Sequence, residues 1–245
     1  MIYKQISENH KQNIKQLALL IDPDKFSDEQ MRSLSEILER VTPDLLLVGG
    51  SLVSTDTFTF IEQLKKHINL PVVLYPGSST QYASNVDAIL FLSLLSGRNS
   101  EYLISHHVAS APLIKANNTE VISTGYLLID GGCTTSVQYI SQTQPIPANK
   151  NDIAIATALA GQFLGMKLIY MDAGSGAIQP IPANMISAVK HQLDIPLMIG
   201  GGLNTAAKVK DACSAGADII VIGNAFEKDL SLIEEFSDIV RSFNQ

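Results

Sequence analysis

The sequence predicts a single (β/α)8 barrel, modified by the loss of one outer helix. Three observations carry this reading. Short β-rich apolar runs alternate with longer amphipathic ones along the chain. Eight such runs occur within 245 residues, the count and length of a closed barrel. The runs are apolar on both faces, as strands of a covered parallel sheet are. An open doubly wound sheet obeys the same alternation and stands as the structural alternative. No linker or composition shift divides the chain, so residues 1–245 read as one domain.

Taken in order, the first strand covers 17–22 (LALLID), followed by a helix over 28–41 with Ser27 as its N-cap. The second covers 45–50 (LLLVGG), and its helix over 55–68 has Asp56 as N-cap. The third covers 72–76 (VVLYP) and the fourth 88–94 (AILFLSL), with only GSSTQYASNVD, residues 77–87, between them. That segment is too short for a crossover helix, so apolar strand surface is left bare there. A neighbouring helix or another subunit could cover it, or it could form a groove for a long apolar ligand. A helix over 101–116 leads to the fifth strand at 121–129, and a strongly apolar helix over 152–165 leads to the sixth at 168–172 (LIYMD). Helices over 183–192, 204–214 and 229–242 separate and follow the strands at 197–200 and 219–223.

Hydrophobic residues make up 46% and charged residues 17%, enough apolar mass for a large core. The net charge of −7 excludes nucleic-acid binding through a broad basic surface, so an anionic ligand must be held locally by amides, helix N-termini or a metal ion. The apolar runs are too short to span a bilayer, and the first residues, MIYKQISENHK, lack a signal peptide's apolar stretch. Cys133 and Cys213 show no metal spacing and read as reduced thiols of a cytoplasmic protein.

In such a barrel the working groups gather at the carboxyl ends of the strands. Here these ends read DPDK, GGS, YPGSS, LSGRN, DGG, DAGSG, GGG and GNAF. Any one of them is an ordinary βα turn. Together they supply a rim of amides and hydroxyls. The loops after strands seven and eight are the usual phosphate site of the fold, so Gly201, Gly202, Gly223 and Asn224, abutted by DAGSG at 172–176, point to a phosphate monoester. Asp22 ends the first strand, where Pro23 stops it. A carboxylate beside a phosphate-rich mouth calls for a hard cation, and Mg2+ held by Asp22 and the Ser51 hydroxyl fits. Lys25, Arg98 and Lys228 are the few cations near strand ends, and His106 and His107 read as structural residues of a helix.

The stretches LLIDPDK, VGGS, FLSLLSGRN, YMDAGSGA, IGGGL and GADIIVIGNAFEK together resemble the geranylgeranylglyceryl phosphate synthase family, in its second group. The resemblance spans nearly the whole chain. It implies a barrel whose third helix is missing and an Mg2+-dependent transfer from geranylgeranyl diphosphate to the 3-hydroxyl of sn-glycerol 1-phosphate, the start of an ether lipid. Separately, Tyr139 and the helix-gap surface could form the subunit contact of a homo-oligomer. By that resemblance Asp22 and Ser51 hold Mg2+. Tyr170, Met171, Asp172, Ala173, Gly174, Ser175 and Gly176, then Gly201, Gly202, Gly223 and Asn224, hold the glycerol phosphate. Asp172, which related sequences often replace with Glu, orients the hydroxyl or takes its proton. The competing readings are another phosphate-binding barrel, such as an isomerase or aldolase, and a non-catalytic sensor of a phosphate ligand.

Overall fold

The computed structural model describes residues 1–244, except for the side chains of Glu227 and Lys228, so the expectation for Lys228 lies outside the described residues. Eight parallel strands close into a barrel in chain order. They are β1 (Gln16–Ile21), β2 (Leu45–Gly50), β3 (Val72–Pro76), β4 (Ala88–Leu94), β5 (Glu120–Leu128), β6 (Leu168–Asp172), β7 (Leu197–Gly200) and β8 (Ile219–Ile222). Pairing of Gln16 with Ile219 closes the ring.

The strands are apolar throughout because both faces are buried, and alternation assigns each side chain to one of two cores. Leu45, Leu47, Leu168 and Tyr170 fill the barrel interior. Leu46, Val48, Ile169 and Met171 face the surrounding helices. Those helices are α2 (Asp28–Leu38), α3 (Thr57–His67), α4 (His106–Ala116), α6 (Asn151–Phe163), α7 (Ala183–Lys190), α8 (Ala206–Ser214) and α10 (Leu232–Ser242). Ser27 caps α2 through a full capping box with Gln30, and Asp56 caps α3 by accepting the Thr59 N–H at 2.8 Å.

Four elements depart from the sequence reading. The polar first residues form α1 (Ile2–Lys11), which plugs the amino end of the barrel with Ile6. Its orphan N–H groups at Ile2 and Tyr3 donate to the Glu120 carboxylate at 2.7 and 2.9 Å, so a strand residue caps the helix from a distance. A short α5 (Ser136–Ser141) lies in the β5–β6 connection, and α9 (Asn224–Lys228) follows β8. A π-helical turn, Glu101–Ser105, precedes α4.

The β3–β4 crossover holds only one 3-10 turn, Ser79–Gln81. Gln81 ties it down: its side chain accepts the Gly77 N–H at 2.9 Å and donates to Gly50 O at 3.3 Å. The outer ring therefore lacks a helix at the position the sequence leaves short. Among the described residues no helix is long and apolar enough to cross a membrane.

Candidate active site

A hollow of about 1830 Å3, including its open mouth, lies over the carboxyl ends of the strands. Asp22, Ser51, Asp172, Gly202 and Asn224, drawn from five different strand ends, all line it. So do Tyr170, Gly174, Ser175, Gly176, Gly201 and Gly223. The sequence-predicted set therefore converges, with two exceptions. Met171 and Ala173 are buried against the helix layer, because strand alternation turns them outward while Tyr170 and Asp172 turn in. Their side chains do not reach the hollow.

The glycine-rich rim is built from backbone. Gly201 and Gly202 have φ of +79° and +69°, a region costly for any residue with a Cβ. A Cβ at Gly201 would also lie 2.6 Å from Ala173 N and Asp172 Oδ1. Ser175 and Asn224 bridge the loops after β6 and β8, the Asn224 amide donating to Ser175 Oγ at 2.8 Å.

Asp172 is 6% exposed at the floor of the hollow. Tyr126 Oη donates to its Oδ2 at 2.6 Å, Tyr75 Oη lies 3.5 Å from the same oxygen, and the Gly174 N–H donates to Oδ1 at 2.8 Å. Burial pushes its carboxyl above the usual carboxylate range, while the bonds from Tyr126, Gly174 and Tyr75 pull the other way. Tyr75, Tyr126 and Tyr170 form an aromatic cluster, with ring centroids 5.4 to 6.5 Å apart. Sequence reasoning missed Tyr75 and Tyr126. The inward phase of β3 and β5 was the signal that could have found them.

After β1, next to the β8 end of the rim, Asp22 Oδ1 accepts the Asp24 N–H at 3.1 Å and Oδ2 pairs with Lys25 Nζ at 3.0 Å. Asp24 also lines the hollow and caps the next loop, accepting the N–H groups of Ser54 and Thr55 at 2.9 and 2.8 Å. The Thr55 side chain foremost, then the Ser54 N–H, hold its carboxyl well below the usual range. Arg98 spends its guanidinium on the carbonyls of Leu95 and Gly97 at 2.9 and 2.7 Å, and lines neither hollow.

A second hollow, of about 780 Å3 including its open mouth, lies where the helix is missing. Ile89, Phe91 and Leu92 of β4 form one wall and α4 the other, so the bare strand surface has become a groove. His106 and His107 sit in that wall, hydrogen-bonded to Ser79 Oγ at 3.3 Å and Ser93 Oγ at 3.2 Å. Gly50, Ser51, Tyr75 and Val137 line both hollows, which therefore meet there.

This architecture defines a TIM barrel with an apolar groove joined to its polar mouth. The profile of the PcrB family matches residues 9–241, and the chain belongs to that family. It is 49% identical over 242 residues to the geranylgeranylglyceryl phosphate synthase of Chitinophaga pinensis, covering 98% of this chain and 96% of that one. It is 42% identical to the synthase of Thermococcus kodakarensis, covering 86% of this chain and 83% of that one. Among solved structures it is similar to the (S)-3-O-geranylgeranylglyceryl phosphate synthase of Thermoplasma acidophilum in complex with sn-glycerol-1-phosphate. The TM-score is 0.90 at 33% identity, covering 99% of this chain and 98% of that one.

Proposed function

We propose that this chain joins the geranylgeranyl group of geranylgeranyl diphosphate to the 3-hydroxyl of sn-glycerol 1-phosphate, releasing diphosphate and leaving an ether. The observation that carries this reading is the meeting of the two hollows at Ser51 and Tyr75, beside Asp172. A polar compartment and an apolar one sharing a wall suit two substrates of those chemistries. The likeness to synthases, one of them solved with sn-glycerol-1-phosphate, points the same way.

The loops at Gly174–Gly176, Gly201–Gly202 and Gly223–Asn224 would hold the phosphate and so fix the glycerol hydroxyl against the allylic carbon, a positioning effect. The allylic carbon–oxygen bond to diphosphate breaks, the bond to the glycerol oxygen forms, and the hydroxyl proton passes to Asp172. The groove along β4 would take the prenyl tail. At about 0.8 kcal/mol per buried CH2, the tail is a major source of affinity.

Asp22 and Ser51 would hold Mg2+. The donors fit: hard oxygens from one carboxylate and one hydroxyl line the hollow, and Asp22 Oδ2 already attracts a cation, the Lys25 ammonium at 3.0 Å. Among the described residues no three His, Cys, Asp or Glu side chains converge, so substrate oxygens and water would complete the shell. When bound, the ion would neutralise the charge building on the leaving diphosphate. A cytoplasmic location and a homo-oligomer belong to the same proposal, with Tyr139, 76% exposed, on the surface a second copy would cover.

The test is incubation with sn-glycerol 1-phosphate, Mg2+ and labelled prenyl diphosphates of graded length. An organic-soluble phosphate ether supports the reading. Its absence at every length rejects it.

A further inference from the structure

Asp172 carries more protein donors than a free proton acceptor requires. Tyr126 approaches its Oδ2 at 2.6 Å, in the short range of charge-assisted bonds, and Tyr75 stands 3.5 Å from the same atom. Burial pushes both phenols well above their ordinary range, so each remains an O–H donor. Their rings have a second duty. Tyr126 lines the apolar groove and Tyr75 lines both hollows, so the pair forms the partition across which the substrates would react.

We propose that Tyr126 is a positioning residue for prenyl transfer: its hydroxyl fixes the Asp172 carboxylate in one orientation toward the glycerol phosphate, with Tyr75 in a lesser share. This rests on the reading of Asp172 as proton acceptor. A carboxylate swinging on its χ torsions would present a lone pair to the substrate hydroxyl only part of the time. With Oδ1 on the Gly174 N–H and Oδ2 on Tyr126, that torsion is fixed from both ends. The titratable groups around Asp172 are Tyr75 from β3, Tyr126 from β5 and Tyr170 from its own strand, while Asp22 and Lys25 line the hollow from the loop after β1. The Tyr126 bond also opposes the upward push of burial, so its loss lets the carboxyl protonate at higher pH.

The experiment compares Tyr126→Phe and Tyr75→Phe with the wild-type chain in steady-state kinetics across pH, with circular dichroism to verify folding. Tyr126→Phe is expected to lower kcat by about 10- to 100-fold, the loss of one bond to a charged group, with KM for glycerol phosphate nearly unchanged. The acid limb of its kcat profile moves to higher pH. Tyr75→Phe, removing the longer contact, has the smaller effect on both. If Tyr126→Phe does not fold, 3-fluorotyrosine at position 126 keeps the ring and strengthens the donor, and the acid limb moves to lower pH. Unchanged kcat with an unmoved limb, or a loss confined to KM, overturns the inference while leaving prenyl transfer standing. A wild-type chain that makes no ether overturns the prenyl-transfer reading and this inference with it.

Discussion

Gly201 packs directly on Asp172: a Cβ at position 201 would lie 2.6 Å from the carboxylate's Oδ1 and 2.7 Å from Gly174 N. The loop after β7 and the acidic end of β6 are thus one unit, and neither can be altered without the other. Gly201→Ala adds this clash to a backbone at φ +79°. It is expected to cost about 1–3 kcal/mol of stability and to weaken sn-glycerol 1-phosphate binding by more than about tenfold. Titration calorimetry and thermal melting check both.

Asp22→Asn keeps the shape of the mouth and removes one charge. Turnover is expected to be abolished, while glycerol phosphate affinity, set by the backbone of the loops after β6, β7 and β8, stays largely intact. Activity measured against Mg2+ concentration, beside a direct binding assay, separates the two. Unchanged turnover means that Asp22 does not hold the ion.

Ser110 is a small, buried residue of α4 in the groove wall, its hydroxyl donating to His106 O at 2.9 Å within its own helix. Ser110→Leu pushes apolar volume into the groove. The longest prenyl diphosphate accepted should shorten, with KM for glycerol phosphate unmoved. Product length by mass spectrometry reads this directly.

Asp218, at the opposite end of the barrel, accepts from Lys190 Nζ at 2.6 Å and the Leu197 N–H at 2.7 Å, and pairs with His10 of α1 at 3.2 Å. Burial alone would push its carboxyl up, but His10, Lys190 and Leu197 outweigh it and hold it below the usual range. A depressed folded-state pKa gives stability that is fully present above the unfolded value, about 3.9, and is lost as pH falls through the folded one. Asp218→Ala should therefore destabilise at neutral pH by about 3 kcal/mol, or very roughly 10 °C in Tm. The difference from wild type should narrow below about pH 4.

All eight strands were legible in the sequence because a doubly covered strand is an uninterrupted apolar run, bounded here by Gly, Asp and Pro. The missing helix was legible as arithmetic: residues 77–87 cannot span a crossover. Whether the gap was covered or open was not, since that depends on how far α4 stands from β4. The plug α1 escaped notice because it buries one side chain fully, Ile6, and takes its cap from Glu120, far along the chain. The site is legible as a set of strand ends, but the motif YMDAGSGA does not itself separate inward from outward positions, and alternation turns Met171 and Ala173 outward. Tyr126 stands inside an apolar run, and Tyr75, though it heads the YPGSS strand end, carries no motif of its own. Only the closed ring brings them to Asp172.

The most direct test of two substrates meeting at one wall is a crystal structure of the chain with sn-glycerol 1-phosphate, Mg2+ and a non-reactive prenyl thiodiphosphate. Phosphate is expected over Gly174–Gly176, Gly201–Gly202 and Asn224, diphosphate beside Asp22 and Ser51, and the tail along Phe91 and Leu92. A prenyl tail bound anywhere outside the β4 groove, or a glycerol hydroxyl turned away from Asp172, would contradict this arrangement.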